Sequence, residues 1–135
     1  MSLPRCVLAF LYFGFVLFGH IGCSSKPAVG PDETTSSGFK DLWNAYRHYI
    51  ESHNKPPARA GDLLKLSIAF PYVEQMLNER GILVQWNVNL LEQSKEKSVL
   101  AYEQTAPTEG GFVLLTDGTV QKMNVADFNS ASKAK

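Results

Sequence analysis

The chain has 135 residues, with 13 basic and 13 acidic side chains, so its formal net charge is zero. This length accommodates one small domain. The balanced charge argues against a nucleic-acid-binding protein, which needs a basic excess to meet phosphates. Two cysteines cannot form a disulfide framework or a cysteine-rich zinc site. An apolar fraction of 44% is too high for a disordered chain.

The first 22 residues have the pattern of a secretory signal peptide. Arg5 is the only charged residue among them, and an apolar run extends from Cys6 to Gly19. The run is shorter than the ~20 residues that a membrane-spanning helix needs. A basic start, a short apolar run and a small residue at the end are typical of an export signal. We therefore predict a signal peptide over 1–22, with an uncleaved membrane anchor as the alternative.

A cysteine lies directly after this segment, in the sequence His20-Ile21-Gly22-Cys23. The motif resembles the lipobox of bacterial lipoproteins, in which a small residue precedes a cysteine that receives diacylglycerol. The resemblance implies lipidation of Cys23, acylation (for example by palmitate) of the new amino terminus, and a periplasm-facing protein anchored in the cell envelope. Two or more acyl chains hold a protein stably on a membrane. The alternative is a chance cysteine beside an ordinary cleavage site.

Ser24, rather than aspartate, follows Cys23, and this favours the outer membrane over the inner membrane. Residues 23–38 then contain almost nothing that suits a core, and we predict a lipidated cysteine followed by a flexible tether. The single domain is expected over 39–135. It contains no cysteine, so neither a disulfide nor a cysteine nucleophile is available to it.

A long amphipathic helix is predicted from Phe39 to Asn54, where Lys55-Pro56-Pro57 ends it. Ser37 or Gly38 can cap its start. Its apolar and aromatic residues recur at spacings of three and four and share one face, which is typical of a core-facing stripe. The stripe consists of Phe39, Leu42, Trp43, Tyr46, Tyr49, Ile50 and His53.

Two shorter helical segments and a set of strands follow. Gly61–Leu66 indicates one or two helical turns, and Pro71 can begin a helix that Gly81 closes. Alternating residues predict a strand over Ile82–Val88. Further strands are expected over Val99–Glu103, Phe112–Thr116 and Thr119–Met123.

Asp117-Gly118 between the last two strands indicates a hairpin, because both residues tolerate positive φ. Asn124 can cap a final short helix that holds Val125 and Phe128, and residues 130–135 are expected to fray. The predicted fold class is α+β, with the long helix packed on a small antiparallel sheet of about four strands. Since the strands follow one another, a meander is the simplest topology.

The segment Ser98–Phe128 resembles the C-terminal part of bacterial prepilin-like proteins marked by a His-x9-Asp-Gly signature. The matching pieces are Leu100-Ala101-Tyr102-Glu103, Gly110-Gly111, Leu114 to Gly118, and Val120. The resemblance implies a pilin- or pseudopilin-like globular domain. Two features differ from the family pattern: no histidine lies near Pro107 or Thr108, and the lipobox replaces the N-terminal pilin helix.

Candidate chemical groups are few. His48 and His53 lie five residues apart, which places them on different sides of a helix, so no metal site is predicted from them. Glu103, Glu109 and Asp117 are candidates for a shared calcium site. The simpler interpretation makes Asp117 a turn residue, Glu109 a solvated loop residue and Glu103 a cap for a backbone group.

Two classes of function remain open. The first, which we favour, is a non-enzymatic envelope lipoprotein that needs no cofactor and whose domain binds a protein or a cell-wall partner. Tyr102, Glu103 and Asp117 are its candidate binding residues, with an exposed apolar patch expected near Tyr102, Phe112 or Pro56-Pro57. The alternative is a small envelope hydrolase or calcium-binding module that uses Glu103, Glu109 and Asp117.

Overall fold

A computed structural model describes residues 31–93 and 97–135. The predicted signal peptide, Cys23 and residues 24–30 of the predicted tether lie outside the described residues. In chain order the elements are α1 (Pro31–His53), α2 (Ala60–Leu64), α3 (Tyr72–Glu74) with a π-helical turn (Gln75–Glu79), β1 (Ile82–Val84), α4 (Leu90–Gln93), β2 (Val99–Glu103), α5 (Ala106–Glu109), β3 (Gly111–Leu115), β4 (Val120–Met123) and α6 (Val125–Ser130).

The four strands form one antiparallel sheet in the order β1-β2-β3-β4. The predicted α+β class and the meander are therefore confirmed. One face of the sheet packs against α1 and contributes residues such as Leu100 and Leu114 to the main core. The other face carries a smaller cluster around Val113 and Phe128, which α5 and α6 cover. No helix in residues 31–93 and 97–135 combines the length and the hydropathy that crossing a bilayer requires.

Helix α1 begins at Pro31, not at Phe39, so the prediction of a flexible tether is wrong for residues 31–38. Proline is tolerated in the first turn of a helix, and the acidic Asp32 and Glu33 favour its positive end. Thr35 is buried and accepts a hydrogen bond of 2.6 Å from Arg80 Nη1. The local sequence does not predict this contact, because the turn is polar and the partner of Thr35 lies 45 residues away.

The predicted aromatic stripe of α1 forms the centre of the main core. Phe39, Leu42 and Tyr46 are fully buried, and Ile50 is nearly so. Tyr46 carries a hydroxyl into this core, where it needs hydrogen-bond partners. That hydroxyl donates to the carbonyl oxygen of Gln85 at 3.2 Å and accepts from the amide of Val88 at 3.0 Å. Tyr46 therefore attaches the middle of α1 to the chain that follows β1.

The first strand is shorter than the sequence pattern predicts, because it ends at Val84. The amide of Gln85 still donates to Leu100, but Asn87 has a positive φ of 62° and its amide donates to Pro57 instead of to the sheet. Val88 is nevertheless buried. Val88 continues the alternating apolar pattern of the strand because it packs in the core beyond the end of the sheet. An alternating pattern in the sequence does not distinguish such packing from strand pairing.

The β3–β4 hairpin forms as predicted, although its turn differs in detail. The amide of Gly118 donates to Leu115, and the amide of Leu115 donates to Thr119. Of the two turn residues only Gly118 has a positive φ, of 84°. Asp117 stabilises the turn in another way, since its Oδ1 accepts a hydrogen bond of 2.9 Å from the Thr119 amide.

The C-terminal end does not fray. Asn124 caps α6 as expected, its side chain accepting from the amide of Asp127. Beyond α6 the chain returns to β2, where the amide of Ala134 donates to Val99 at 2.9 Å. Lys133 Nζ donates to the carbonyl oxygen of Phe128 at 2.7 Å and lies 4.0 Å from the centre of its ring. A polar, lysine-rich ending is thus held by contacts that its composition does not reveal.

We expect Tyr46→Phe to lower the free energy of unfolding by about 1–3 kcal/mol, because it leaves the buried amide of Val88 without its acceptor. Burial raises the pKa of Tyr46 from 10.0 to about 12. The stability that this group contributes is therefore complete below pH 10 and is lost as the pH rises toward 12. Denaturant titrations of the variant should lack that alkaline fall.

Tyr72→Phe is the matched control, because the Tyr72 side chain is exposed. It should unfold like the parent chain at every pH. A Tyr46→Phe protein as stable as the parent would contradict the role of this hydroxyl.

Candidate binding groove

A groove of about 340 Å³ lies between α1, α4 and the β3–β4 turn. Helix α1 contributes three side chains spaced one helical turn apart, and α4 contributes two consecutive leucines. The β3–β4 turn contributes its first two residues. The lining consists of Trp43, Arg47, Glu51, Leu90, Leu91, Thr116 and Asp117. The groove therefore forms only when α1 is docked on the sheet.

Trp43 provides an aromatic surface in this groove, and two contacts fix its ring. Its Nε1 donates to the carbonyl oxygen of Thr116 at 3.2 Å. On the side of the hairpin the ring lies against Gly118, where an added Cβ would come within 2.9 Å of Trp43 Cε2. Only glycine allows this close approach, and the positive φ of Gly118 requires the same residue type.

Charged pairs line the rim of the groove. Arg47 Nε lies 2.7 Å from a carboxylate oxygen of Glu51, and its guanidinium carbon is 5.4 Å from the centre of the Trp43 ring. Lys97 Nζ lies 3.3 Å from Asp117 Oδ2. Each cation on the rim already has a carboxylate partner within the chain. The rim is therefore polar without a net charge of its own.

Asp117 is the most constrained of these charges. Partial burial raises its pKa, but hydrogen bonds from the amide and hydroxyl of Thr119 and the charge of Lys97 together outweigh burial. Its pKa consequently lies below the ordinary value of 3.8. Asp117 is ionised at neutral pH and accepts hydrogen bonds, an arrangement that suits a turn-stabilising group rather than a proton donor.

Helix α4 supplies the apolar wall. Leu90 is 5% exposed and belongs to the main core, whereas the next residue, Leu91, is 61% exposed. Asn89 fixes the start of the helix, because its side-chain oxygen accepts from the amide of Leu91 at 3.2 Å. The groove therefore has an aromatic surface, an exposed leucine and a charge-paired rim.

The structure places the three predicted binding residues in different surroundings. Asp117 lines the groove. Tyr102 is half-buried on the opposite face of the sheet, where its ring packs against Phe128 at a centroid distance of 4.8 Å. Glu103 is engaged by the backbone, since its Oε2 accepts a hydrogen bond of 2.7 Å from the amide of Phe112. Only one of the three residues is positioned to meet a partner at the groove.

The adjacent glycines Gly110 and Gly111 leave room for the backbone contact of Glu103. A Cβ on Gly111 would lie 2.6 Å from Glu103 Oε2, so the carboxylate occupies the space that a side chain would need. Gly110 has a φ of 77°, and a Cβ there would lie 2.7 Å from the carbonyl oxygen of Met123. The acidic residue and the glycine pair therefore close the β2–β3 connection.

Glu103, Glu109 and Asp117 are not brought together. Glu103 ends β2 beside the start of β3, whereas Asp117 follows the end of β3 near Val99 at the other end of the ladder. The two ends of β2 are four residue steps apart, or about 13 Å. That distance exceeds the separation at which two carboxylates flank one glycosidic bond. Within residues 31–93 and 97–135, no three His, Cys, Asp or Glu side chains lie together so that they could hold a metal ion.

The two histidines of α1 also face different neighbours. His53 stacks on Tyr49 with ring centroids 4.1 Å apart. His48 lies 6.0 Å from the ring of Phe70, on the flank next to the α2–α3 connection. The structure therefore gives them no common ligand position.

Exposed apolar side chains occur where the sequence does not predict them. Phe112 is half-buried with Lys122 Nζ 5.6 Å from its ring centre, and Pro57 is buried. Among the residues that the structure describes, Ile68 and Leu91 are instead the most exposed large apolar residues, at 99% and 61%. Trp43 was expected in the core, yet it lies at the edge of the helical stripe. The position of Trp43 at the edge of the stripe is the sequence feature that could have indicated the groove.

Comparison with protein-family profiles, with curated proteins and with solved structures found no match for this chain.

Proposed function

We propose that this chain is a lipid-anchored protein of a bacterial cell envelope, and that its domain is a non-enzymatic module that binds another envelope protein in the groove. The observation that carries the proposal is that Trp43 and the exposed Leu91 line one groove whose rim is charge-balanced. Aromatic residues and arginine are the side chains that dominate protein–protein interfaces.

The anchor is supported by the lipobox sequence at Cys23. Helix α1 begins at Pro31, so only seven residues, or eight residue steps, separate the domain from that cysteine. At full extension such a segment spans about 26–29 Å. A lipid on Cys23 therefore keeps the domain close to the membrane surface, which suits a partner in the same envelope layer.

The charges of the groove favour a protein over a polyanion as the partner. A nucleic acid or an acidic glycan would have to compete with Glu51 and Asp117 for the two cations of the rim. An apolar side chain placed between Trp43 and Leu91 displaces no ion pair and buries apolar surface on both sides. We therefore infer a protein segment with an exposed apolar residue as the occupant.

We further propose that the domain is pilin-like, with a lipid in place of the anchoring helix. Support comes from the order β2, Gly-Gly loop, β3, Asp-Gly turn, β4 and short helix, which follows the pattern of the prepilin-like proteins. A helix covering one face of an antiparallel sheet is also part of that pattern. The domain would then contribute to a surface or secretion assembly from the membrane side.

The anchor is tested by Cys23→Ala in the natural host. We expect the protein to move from the membrane fraction to the soluble fraction, because no acyl chain can then be attached. Mass spectrometry of the parent protein should show an acylated amino terminus at Cys23. Cys6→Ala is the matched control, since Cys6 lies within the predicted signal, and it should stay with membranes. Unchanged membrane association of Cys23→Ala would contradict the anchor.

The groove is tested by a photo-crosslinking amino acid at position 91 in intact cells. Leu91 is exposed, so the replacement should not disturb folding. We expect an adduct with one envelope protein, and none from the same amino acid at the exposed Ala126 on α6. A synthetic peptide with the crosslinked segment should then bind the purified protein.

A charged substitution in the groove tests whether the peptide binds there specifically or was crosslinked only because it was nearby. Leu91→Asp should weaken binding of that peptide at least about tenfold, which corresponds to 1.4 kcal/mol, because the carboxylate loses hydration beside Trp43. Ile68→Asp, at an exposed position outside the groove, should leave peptide binding unchanged. Equal binding by both variants, or a glycan as the sole adduct, would overturn the proposed occupant.

A further inference from the structure

The connection between α2 and α3 exposes apolar surface, and we name residues 66–72 the apolar tip. Ile68 at its apex is 99% exposed, and Tyr72 at its end is 41% exposed. Ala69 and Pro71 are exposed as well. No charged residue occurs between Lys65 and Glu74. Single exposed apolar residues are ordinary on protein surfaces, whereas here four exposed apolar residues occur within five positions of the chain.

Most backbone amides of the apolar tip are hydrogen-bonded to nearby groups, and those of Leu66 and Ser67 donate to the carbonyl oxygens of Leu63 and Leu64 in α2. The amides of Ala69 and Phe70 both donate to the carbonyl oxygen of Leu66 at 3.0 Å, and the amide of Val73 donates to Phe70. Pro71 has no amide hydrogen. A segment that enters a region poor in water must satisfy its own backbone groups. The amides on both sides of Ile68 are paired, which reduces the number of polar groups that insertion would strip of water.

The body of the domain holds the tip in place. The ring of Phe70 lies 6.0 Å from that of His48, and the amide of Tyr72 donates to Asp41 Oδ2 at 3.4 Å. Val73, which follows directly, is fully buried. The apolar side chains are therefore presented at a fixed position on one flank of α1.

This flank is within reach of the proposed lipid anchor. Asp41 and His48 lie about 15 and 26 Å along α1 from Pro31, at 1.5 Å per residue. Seven residues lie between Cys23 and Pro31, and a chain of that length can span comparable distances at full extension. A domain lying with α1 along the membrane can thus place its tip on the bilayer while Cys23 remains anchored in it.

We propose that the apolar tip inserts into the surface of the membrane that holds the lipid anchor, with Ile68 among the acyl chains and Tyr72 at the headgroups. The inference rests on the proposed lipidation of Cys23. Tyrosine rings favour the interface between headgroups and acyl chains, and an apolar contact of this kind adds a second membrane attachment to the lipid.

The groove stays accessible in this orientation. Trp43 lies 200° around α1 from Asp41 at 100° per residue, so the groove and the apolar tip occupy different flanks of the helix. The protein can therefore bind its partner and its membrane simultaneously. The tip sets the direction in which the groove faces.

The experiment uses the full chain, processed and lipidated in the host, with Ile68→Cys as its free thiol. The thiol carries an environment-sensitive fluorophore, and the protein is reconstituted into vesicles of phosphatidylethanolamine and phosphatidylglycerol that contain doxyl-labelled lipid. Ala126→Cys on α6 is the matched control, because that residue is exposed and α6 covers the face of the sheet opposite α1. We expect a blue shift and at least threefold stronger quenching at position 68 than at position 126.

Vesicle flotation and the mass of the amino terminus, measured on the same sample, separate the two proposals. Lipidated protein that floats but shows equal quenching at both positions overturns the tip and leaves the anchor intact. An unlipidated protein that does not float overturns the anchor, and the tip proposal falls with it. A blue shift without vesicles that increases with protein concentration would assign the tip to self-association and overturn membrane insertion.

Discussion

The contact between the Trp43 ring and Gly118 is the constraint on which the remaining architecture depends. Helix α1 is the only long helix among the described residues, and it must cover one apolar face of a four-stranded sheet. At one end of that face the indole lies directly on the β3–β4 turn and donates to Thr116. Further along, Tyr46 attaches the same helix to the residues after β1. These two polar contacts fix where α1 sits, and the apolar stripe supplies the buried area.

The docked position of α1 also determines the surfaces left for binding. The turn that receives Trp43 brings Asp117 beside Arg47 and Glu51, and α4 closes the groove with Leu91. On the other flank, Asp41 and His48 hold the apolar tip. One helix therefore separates a groove with balanced charges from an uncharged apolar contact surface. The proposed partner and membrane contacts both follow from that separation.

Local sequence signals predicted β2, β3, β4, the hairpin and the Asn124 cap, but they placed the end of β1 four residues too late, because Val88 is buried without pairing in the sheet. The start of α1 could not be predicted in this way, since Thr35 is held by Arg80 from 45 residues away. The ordered C-terminal end depends on the pairing of Ala134 with Val99. The groove combines residues from three elements, so no single motif indicates it. For Glu103 and Asp117 the structure shows the simpler of the two interpretations that the sequence left open, since Glu103 accepts a backbone hydrogen bond and Asp117 stabilises the turn.

The unfolding free energies of Gly118→Ala and Gly61→Ala test the central constraint most directly. A methyl group at position 118 meets both a positive φ and the indole of Trp43, whereas one at position 61 in α2 meets nothing within 4 Å. We predict a loss of about 2 kcal/mol or more for Gly118→Ala. Gly61→Ala should be unchanged or up to about 1 kcal/mol more stable. If Gly118→Ala were as stable as the parent chain, the dependence of the fold on this contact would be contradicted.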